Sequence, residues 1–480
     1  MSAVRAAMQS LRGTSHALWL AIASFFISLW TSFRLTFLTR KHFVELVTNE
    51  EKSAPVSANT DTTIMEMIKE KCPSLYGPKA YFNPTWWLPG GNVQTVWCVL
   101  AEMFYYDPIP YTRQLLRLPD GGTISLDVYP AFESKEDDTP ILFILHGLTG
   151  STQESYIRST VRDVTRSKVY GGEKGVRVVA MNFRGCDVDT PVTSQRLYHA
   201  GETDDTRSAL LWLTETYPNA PIYGAGYSMG ACTMAQYLGQ EGDKTPLKGA
   251  ICVSNPWDWT IATHYIEHGS WLNRYIYGPI LADALLTMFK NSRYAFETDE
   301  RLNIPDIYSK RYTIIRFFDD RVTSKLFNFE DAWDYYRQAS CEKLIDKIAI
   351  PHLSLHTEDD PMVAPFNIPY AKARRSPYVV MGTTYGGGHV AWFTTATNPQ
   401  SGQKHQTRWF GTPIREFVEA IQSVDPAPKP GMAALGKDAK GLTRARDMPD
   451  RVGFMEYEDD GTLMTARKYW PIVKTVNIGS

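Results

Sequence analysis

The stretch PIYGAGYSMGAC, residues 221–232, sets a lone serine, Ser228, between Gly226 and Gly230. Ile222 and Tyr223 before it suit a strand, and Met229 to Leu238 after it suit a helix. A G-x-S-x-G on such a corner is the pattern of a nucleophilic serine, with glycine where a Cβ would strike the neighbouring strand or helix. That chemistry needs a general base, an acid to orient the base, and N–H donors for the oxyanion of the tetrahedral intermediate. With this type of elbow the chain order is serine, acid, histidine. Two histidines follow a late strand: His389 in YGGGHVAW and His405 in GQKHQTRW. His389 comes after three glycines, on a loop able to swing an imidazole towards Ser228, whereas His405 lies in a polar run and reads as a surface residue. His352 and His356 belong to a strand and read as structural. The acid falls in SLHTEDDPMVAPF, which offers Glu358, Asp359 and Asp360. Asp360, directly before Pro361-Met362-Val363, fits best and Asp359 next. The oxyanion donors expected are the backbone N–H groups of Met229, after the serine, and of Leu148 in HGLTGST.

Two other patterns could do chemistry. HYIEH, residues 264–268, matches the H-x-x-E-H zinc pattern, with His264 and His268 as ligands and Glu267 as base. It lies in an apolar helical stretch without a third ligand in view, and reads as a chance match. HAGETD, residues 199–204, spells H-x-x-x-x-D, a pattern tied to some acyltransferases. It opens a helix, where Asp204 or Thr203 would serve as the N-cap. Serine chemistry of this kind requires no metal or organic cofactor.

These residues must be positioned by a framework, and the sequence outlines one. RQLLRL, the turn PDGGT and ISLDVY form an antiparallel hairpin. ILFILHG (141–147) and VRVVAMNFRG (176–185) are continuous apolar runs, as expected of parallel strands buried on both faces. TDDTRSALLWLTETY is an amphipathic helix, and the alternation resumes at IPHLSLH and SPYVVMGTTY before a last helix, PIREFVEAIQ. This predicts an α/β fold with a mostly parallel, doubly wound sheet. Residues 256–347 interrupt it with helical, aromatic-rich sequence, read as a lid inserted over the active-site end. Trp257, Trp259, Trp271, Tyr275, Tyr277, Leu281, Leu285, Leu286 and Phe289 are its candidate acyl-channel residues, the alternative being a helical subdomain with its own core. The boundaries expected are 1–45 for a membrane anchor, 46–110 for a linker and Trp/Pro-rich collar, 111–425 for the α/β domain, and 426–480 for a surface tail.

Of 480 residues 43% are hydrophobic and 21% charged, enough apolar sequence for a sizeable core. A net charge of −2 and the lack of a basic stripe argue against a nucleic-acid partner. The six cysteines form no C-x-x-C pair, so neither a zinc ribbon nor a disulfide framework is suggested. Gly13 to Phe33 carries no fixed charge. As a helix this run spans roughly 30 Å, one hydrocarbon core, and is read as a single-pass N-terminal membrane helix rather than a cleaved signal.

Seven motifs in order, WLPGGNVQT, HGLTGSTQESYIR, NFRGC, RLYHAGETDD, GYSMGA, EDDP and GGGHVAW, resemble the AB hydrolase 4 family of α/β-hydrolase-domain proteins. The likeness spans roughly residues 81–420 and is closest to the fungal medium-chain fatty acid ethyl ester synthase/esterases. Asn92 departs from it, since relatives often carry histidine there. The resemblance implies an α/β-hydrolase fold and a triad of Ser228, Asp360 and His389. It also implies a membrane anchor, with the endoplasmic reticulum or a lipid droplet as the expected location, and acyl esters or acyl-CoA thioesters as substrates. Water or an alcohol such as ethanol would accept the acyl group. A monoacylglycerol or phospholipid lipase, and a non-catalytic lipid-binding protein of the same fold, are the alternatives.

Overall fold

The structure, a computed structural model, describes residues 41–457 apart from 105–106, 133, 135–136, 166–174, 310–312, 398–401 and 403. The apolar run 13–33 lies outside the described residues. Among those described, no helix is long and apolar enough to cross a membrane.

The core is a 12-stranded sheet. Its strands are β1 (Glu45–Val47), β2 (Thr112–Arg117), β3 (Thr123–Tyr129), β4 (Ile141–Leu145), β5 (Arg177–Asn182) and β6 (Ile222–Tyr227), then β7 (Leu247–Val253), β8 (His352–Thr357), β9 (Val379–Thr384), β10 (Ala434–Leu435), β11 (Thr443–Ala445) and β12 (Gly453–Tyr457). In space they run β10-β11-β12-β2-β3-β5-β4-β6-β7-β8-β9-β1. The stretch from β5 to β9 is parallel throughout. The hairpin β2–β3 extends it on one side, antiparallel, with Leu115 opposite Ser125.

The apolar runs are continuous because each strand serves two cores. Ile141, Phe143 and Leu145 of β4 enter one, with Val179 and Met181 of β5. Leu142 and Ile144 enter the other, with Val178 and Ala180. Successive side chains of a strand point to opposite faces, so a strand covered on both sides has no polar register. Helices α1 (Asp204–Thr216) and α2 (Met229–Glu241) cover the first face, and α3 (Gly411–Val424), packed with Ser155–Thr165, covers the second.

Two boundaries, and the reach of the collar, differ from expectation. Glu45–Val47 pairs with Met381–Thr383, so the folded domain begins inside the segment 1–45. The described part of the tail after Asp425 supplies β10, β11 and β12, which prolong the sheet beyond β2 by antiparallel pairing. The collar includes a helix, Gly91–Phe104, that reaches the loops of the candidate site rather than only a domain edge. Between β7 and β8 lie the inserted helices, among them Trp259–His268, a π-helical turn Asn273–Tyr277, Gly278–Asn291 and a second π-helical turn Asp319–Thr323.

Candidate active site

β6 runs into α2 at Ser228, whose backbone is left-handed, φ 53° and ψ −120°. That conformation is costly for a residue with a Cβ and persists only where the surroundings enforce it. Here Ser228 N–H donates to Val253 O at 2.9 Å. A Cβ on Gly226 would overlap Ala231 of the helix, and one on Gly230 would overlap the carbonyls of Leu145, the last residue of β4, and His146 just after it. The two glycines let strand and helix meet at the angle that lifts the hydroxyl clear.

His389 reaches that hydroxyl, with Nε2 and Ser228 Oγ 2.8 Å apart. On its other side Nδ1 lies 2.8 Å from Asp360 Oδ2 and 3.1 Å from Oδ1. Asp360 Oδ1 also accepts the N–H groups of Met362 and Val363 at 2.8 and 2.9 Å, so its carboxylate is fixed by its own turn. His389 and Asp360 are buried, while Ser228 stays partly open. Asp359, the other candidate acid, points elsewhere. It accepts the N–H groups of Gly91 at 2.6 Å and Gly386 at 3.0 Å and the Thr357 hydroxyl at 2.6 Å. Burial pushes its carboxyl up from the usual range while these donors pull it down.

The loop after β4 is held by two tyrosine hydroxyls. Gly147 N–H donates to Tyr156 Oη and Thr149 N–H to Tyr198 Oη, both at 2.9 Å. Leu148 N–H between them has no such acceptor among the described residues, and neither has Met229 N–H at the first turn of α2, where helical N–H groups are unpaired. His146 braces this loop. Its Nε2 accepts Phe183 N–H at 3.1 Å and its Nδ1–H donates to Gly147 O at 2.7 Å, the neutral form that burial enforces by lowering its pKa to about 4. The arrangement can deprotonate a serine through an imidazole and offer two N–H groups to a developing oxyanion.

The helix Gly91–Phe104 contributes what sequence reasoning missed. Thr95 Oγ1 accepts His389 N–H at 2.8 Å and donates to Gly91 O at 2.7 Å. Gln94 Oε1 accepts Phe393 N–H at 2.6 Å, and its Nε2 donates to Leu88 O at 2.9 Å. A Cβ on Gly91 would overlap the Asp359 carbonyl, and one on Gly388 (φ +62°) would overlap Gly91 O. The only local signal for this role was NVQT after a glycine pair. Asn92 accepts the Tyr277 hydroxyl at 3.0 Å, joining this helix to the insertion. Asn273 donates to Pro361 O at 2.6 Å, joining the insertion to the acid turn.

The remaining motifs have other partners. Glu267 of HYIEH pairs with Arg316 at 3.2 Å, while His264 and His268 lie ring to ring at 4.6 Å. Thr203 stands at the N-cap of α1 but its hydroxyl donates to Gln240. Glu202 accepts the Asp204 N–H instead, so the expected side-chain cap is displaced by one residue. His356 accepts Trp257 Nε1–H at 3.1 Å, and burial lowers its pKa to about 4. His352 is buried beside Trp257, and His405 sits on an outlying hairpin paired with Ala396. Of the nine candidate channel residues, Leu285 lines a hollow of about 20 Å³ whose other walls include Leu148, Met229, His199 and Asp319. Trp257, Trp259 and Phe289 are packed in the core, and Trp271 and Tyr275 face solvent.

A strand–serine–helix elbow on a parallel sheet, met by a histidine and an acid from the ends of later strands, defines the α/β hydrolase class. The profile of the alpha/beta hydrolase fold matches residues 140–394, more than half of the chain, and the chain belongs to that family. It is similar to the monoacylglycerol lipase of Saccharomyces cerevisiae, 29% identical, over 77% of this chain and 85% of that protein. It is similar also to the mouse (Mus musculus) phospholipase ABHD3, 31% identical, over 68% of this chain and 78% of that one. The medium-chain fatty acid ethyl ester synthase/esterase 2 of S. cerevisiae is 31% identical, over 59% of this chain and 63% of that protein.

Proposed function

We propose that the chain is a membrane-associated serine esterase and acyltransferase acting on medium-chain acyl esters or thioesters. The observation that carries this reading is the unbroken line from Ser228 Oγ through His389 to Asp360, both links 2.8 Å, behind a left-handed serine. Ser228 Oγ attacks the acyl carbon as His389 Nε2 takes its proton. Leu148 and Met229 N–H stabilise the oxyanion, and the imidazolium is oriented by Asp360. The proton then passes to the departing alkoxide or thiolate, leaving an acyl-enzyme. Water or an alcohol such as ethanol attacks next, gives its proton through His389 back to Ser228, and leaves as the acid or the new ester.

The segment 256–347 acts in this reading as a lid. Its Leu285 and Met288 meet Leu148 and Met229 around a hollow of about 20 Å³, so in this reading the lid must move to admit an acyl chain. The medium chain length is suggested by the name of the ester synthase/esterase relative. Residues 1–40 would anchor the chain at the endoplasmic reticulum or a lipid droplet. The experiment is kcat/KM on p-nitrophenyl esters from acetyl to dodecanoyl, with and without ethanol. Each buried methylene contributes about 0.8 kcal/mol, so efficiency should climb about fourfold per carbon to a maximum in the medium range, and ethanol should divert product to ethyl ester. A flat profile sinks the acyl-channel assignment. Turnover confined to monoacylglycerol or phospholipid would give the substrate to the lipase alternative.

A further inference from the structure

The loops that end β6, β8 and β9 carry the candidate site, and exposed aromatic rings stand around the same end of the sheet. Among the described residues eleven large apolar side chains are exposed, and six of them are Phe43, Trp86, Trp271, Tyr275, Phe366 and Tyr385. Tyr385 directly follows β9, on the way to His389. Phe366 lies just beyond the acid turn and meets Tyr265 of the insertion edge-on at 5.8 Å. Trp271 and Tyr275 lie ring to ring at 5.8 Å, either side of Asn273, which donates to Pro361 O of the acid turn. Trp86 precedes Trp87, whose ring packs edge-on against Trp97 of the helix Gly91–Phe104 at 4.7 Å. Val96 and Leu100 of that helix pack with Ile276 and Tyr277, so collar and insertion form one continuous border.

Rings gathered in this way call for a partner, since soluble surfaces rarely group much exposed apolar area. Tryptophan and tyrosine combine an apolar body with a polar tip, and they concentrate where a bilayer meets water. The charges on the rim are of both signs. Lys41 lies over the Tyr81 ring at 4.3 Å, Arg274 stands between Trp271 and Tyr275, and Glu358 is exposed after β8. Attraction at this rim is therefore apolar rather than electrostatic.

The course of the chain says what covers it. The uncharged run Gly13 to Phe33 is separated from Lys41, where the described chain starts, by seven residues. Seven residues reach at most about 25 Å. A domain of roughly 400 residues is about 55 Å across, so a bilayer holding the run cannot lie against the far end of the sheet. The described chain starts at the rim itself: His42–Phe43 pairs with Tyr81–Phe82, and the His42 ring is 5.4 Å from that of Tyr385. We propose that this aromatic rim docks on a phospholipid bilayer, with Ser228 turned towards the lipid. The docking rests on the membrane anchoring proposed above and not on the ester chemistry. In this orientation a lipid ester reaches the partly open serine from the bilayer without crossing water.

The test puts one fluorophore at a time on the full chain, through Trp271→Cys, Phe366→Cys or Lys244→Cys. Each protein is reconstituted in phosphatidylcholine vesicles that carry a nitroxide quencher on the acyl chain. Lys244, exposed just before β7 at the opposite end of the sheet, is the control. The parent chain, labelled alike, gives the background from Cys98, the one cysteine that is not buried. Circular dichroism and melting establish that each variant is folded. Quenching at the two rim positions should exceed that at the control by at least about threefold, and high salt should leave it unchanged. Equal quenching at all three positions, or more at the control, overturns the docking and leaves the anchor in place. Loss of quenching in high salt would mark an electrostatic contact and overturn the apolar one. Rim labels that are shielded but not quenched, in a chain that cross-links to itself, would give the rim to a second copy and overturn the docking as well. A parent chain that does not float with the vesicles overturns the anchor and the docking together.

Discussion

Thr95→Val tests whether the helix Gly91–Phe104 positions the base. The Thr95 hydroxyl accepts the N–H of His389 at 2.8 Å in a buried setting. Valine matches the shape of threonine but places a methyl where the oxygen stood. A carbon needs roughly 3.5 Å from its neighbour, so helix and loop must part by about 0.7 Å. The buried N–H is also left without a partner, at a cost of about 1–3 kcal/mol. His389 is the residue displaced, and its 2.8 Å contact with Ser228 lengthens directly. A misplacement near 1 Å can cost on the order of 100-fold, so kcat should fall about 10- to 100-fold. KM should stay within about twofold, because Thr95 acts on the backbone of His389 and does not line the hollow at Leu148 and Met229. Thr95→Ser keeps the oxygen and should restore most of the rate, which a purely structural role for the threonine methyl would not predict. Steady-state kinetics on octanoyl p-nitrophenyl ester with thermal melts of all three proteins decide it. A valine variant with parental kcat, or a serine variant as impaired as the valine one, refutes the reasoning.

Asp360→Asn should cost about 10⁴-fold in kcat, since the amide cannot support the imidazolium, while Asp359→Asn should cost at least 100-fold less and mainly lower the melting temperature; the reverse ranking would reassign the acid. Burial lowers His146, His199 and His356 to about 4 and His352 to about 3, so from pH 6.5 down to about 4 the unfolded chain binds protons that the folded chain excludes. Their contribution is complete above pH 6.5 and is lost on acidification, by up to about 1.4 kcal/mol per pH unit for each histidine. Asp319, raised by burial to about 7, works the other way, losing its contribution as pH rises from about 4 to 7, as do Asp205, Asp359 and Glu416, which burial also raises, but the four imidazoles titrate across the whole of pH 5–6.5 and set the sign. The urea midpoint should therefore fall between pH 7 and pH 5, and a rise would contradict the burial of these rings. Deleting residues 1–40, which stops short of the strand pairs at His42–Phe43 and Glu45–Val47, should release active protein into the soluble fraction. Continued pelleting with membranes at high salt and high pH would place the contact on the folded domain.

The parts legible in the sequence were those whose physics is local. β4 and β5 announced themselves because burial on both faces removes polar residues from the whole strand. Ser228 and His389 were visible because a left-handed serine and a tight loop demand glycines close by in sequence. Choosing between Asp359 and Asp360 was harder. Two adjacent carboxylates differ only in which way the turn points them, and Met362 and Val363 N–H settle that in space. Thr95 and Gln94 were missed because they act on backbone N–H groups 294 and 299 residues away, and such contacts leave no periodicity. β12 was missed for a similar reason: GFMEY pairs with β11 and β2 through its backbone and needs no long apolar run. The role of the channel residues also escaped, because core aromatics such as Trp257 and Phe289 have the same composition as a lining.

The central claim, that Ser228 is an activated nucleophile, is tested most directly by covalent labelling. The full chain and its Ser228→Ala variant are treated with a fluorophosphonate, and the adduct is located by mass spectrometry. The account predicts one adduct, on Ser228, absent from the variant. Ester turnover should fall by on the order of 10⁴-fold or more, with circular dichroism and melting unchanged. An alanine variant that still labels and turns over ester at near the parental rate would contradict it.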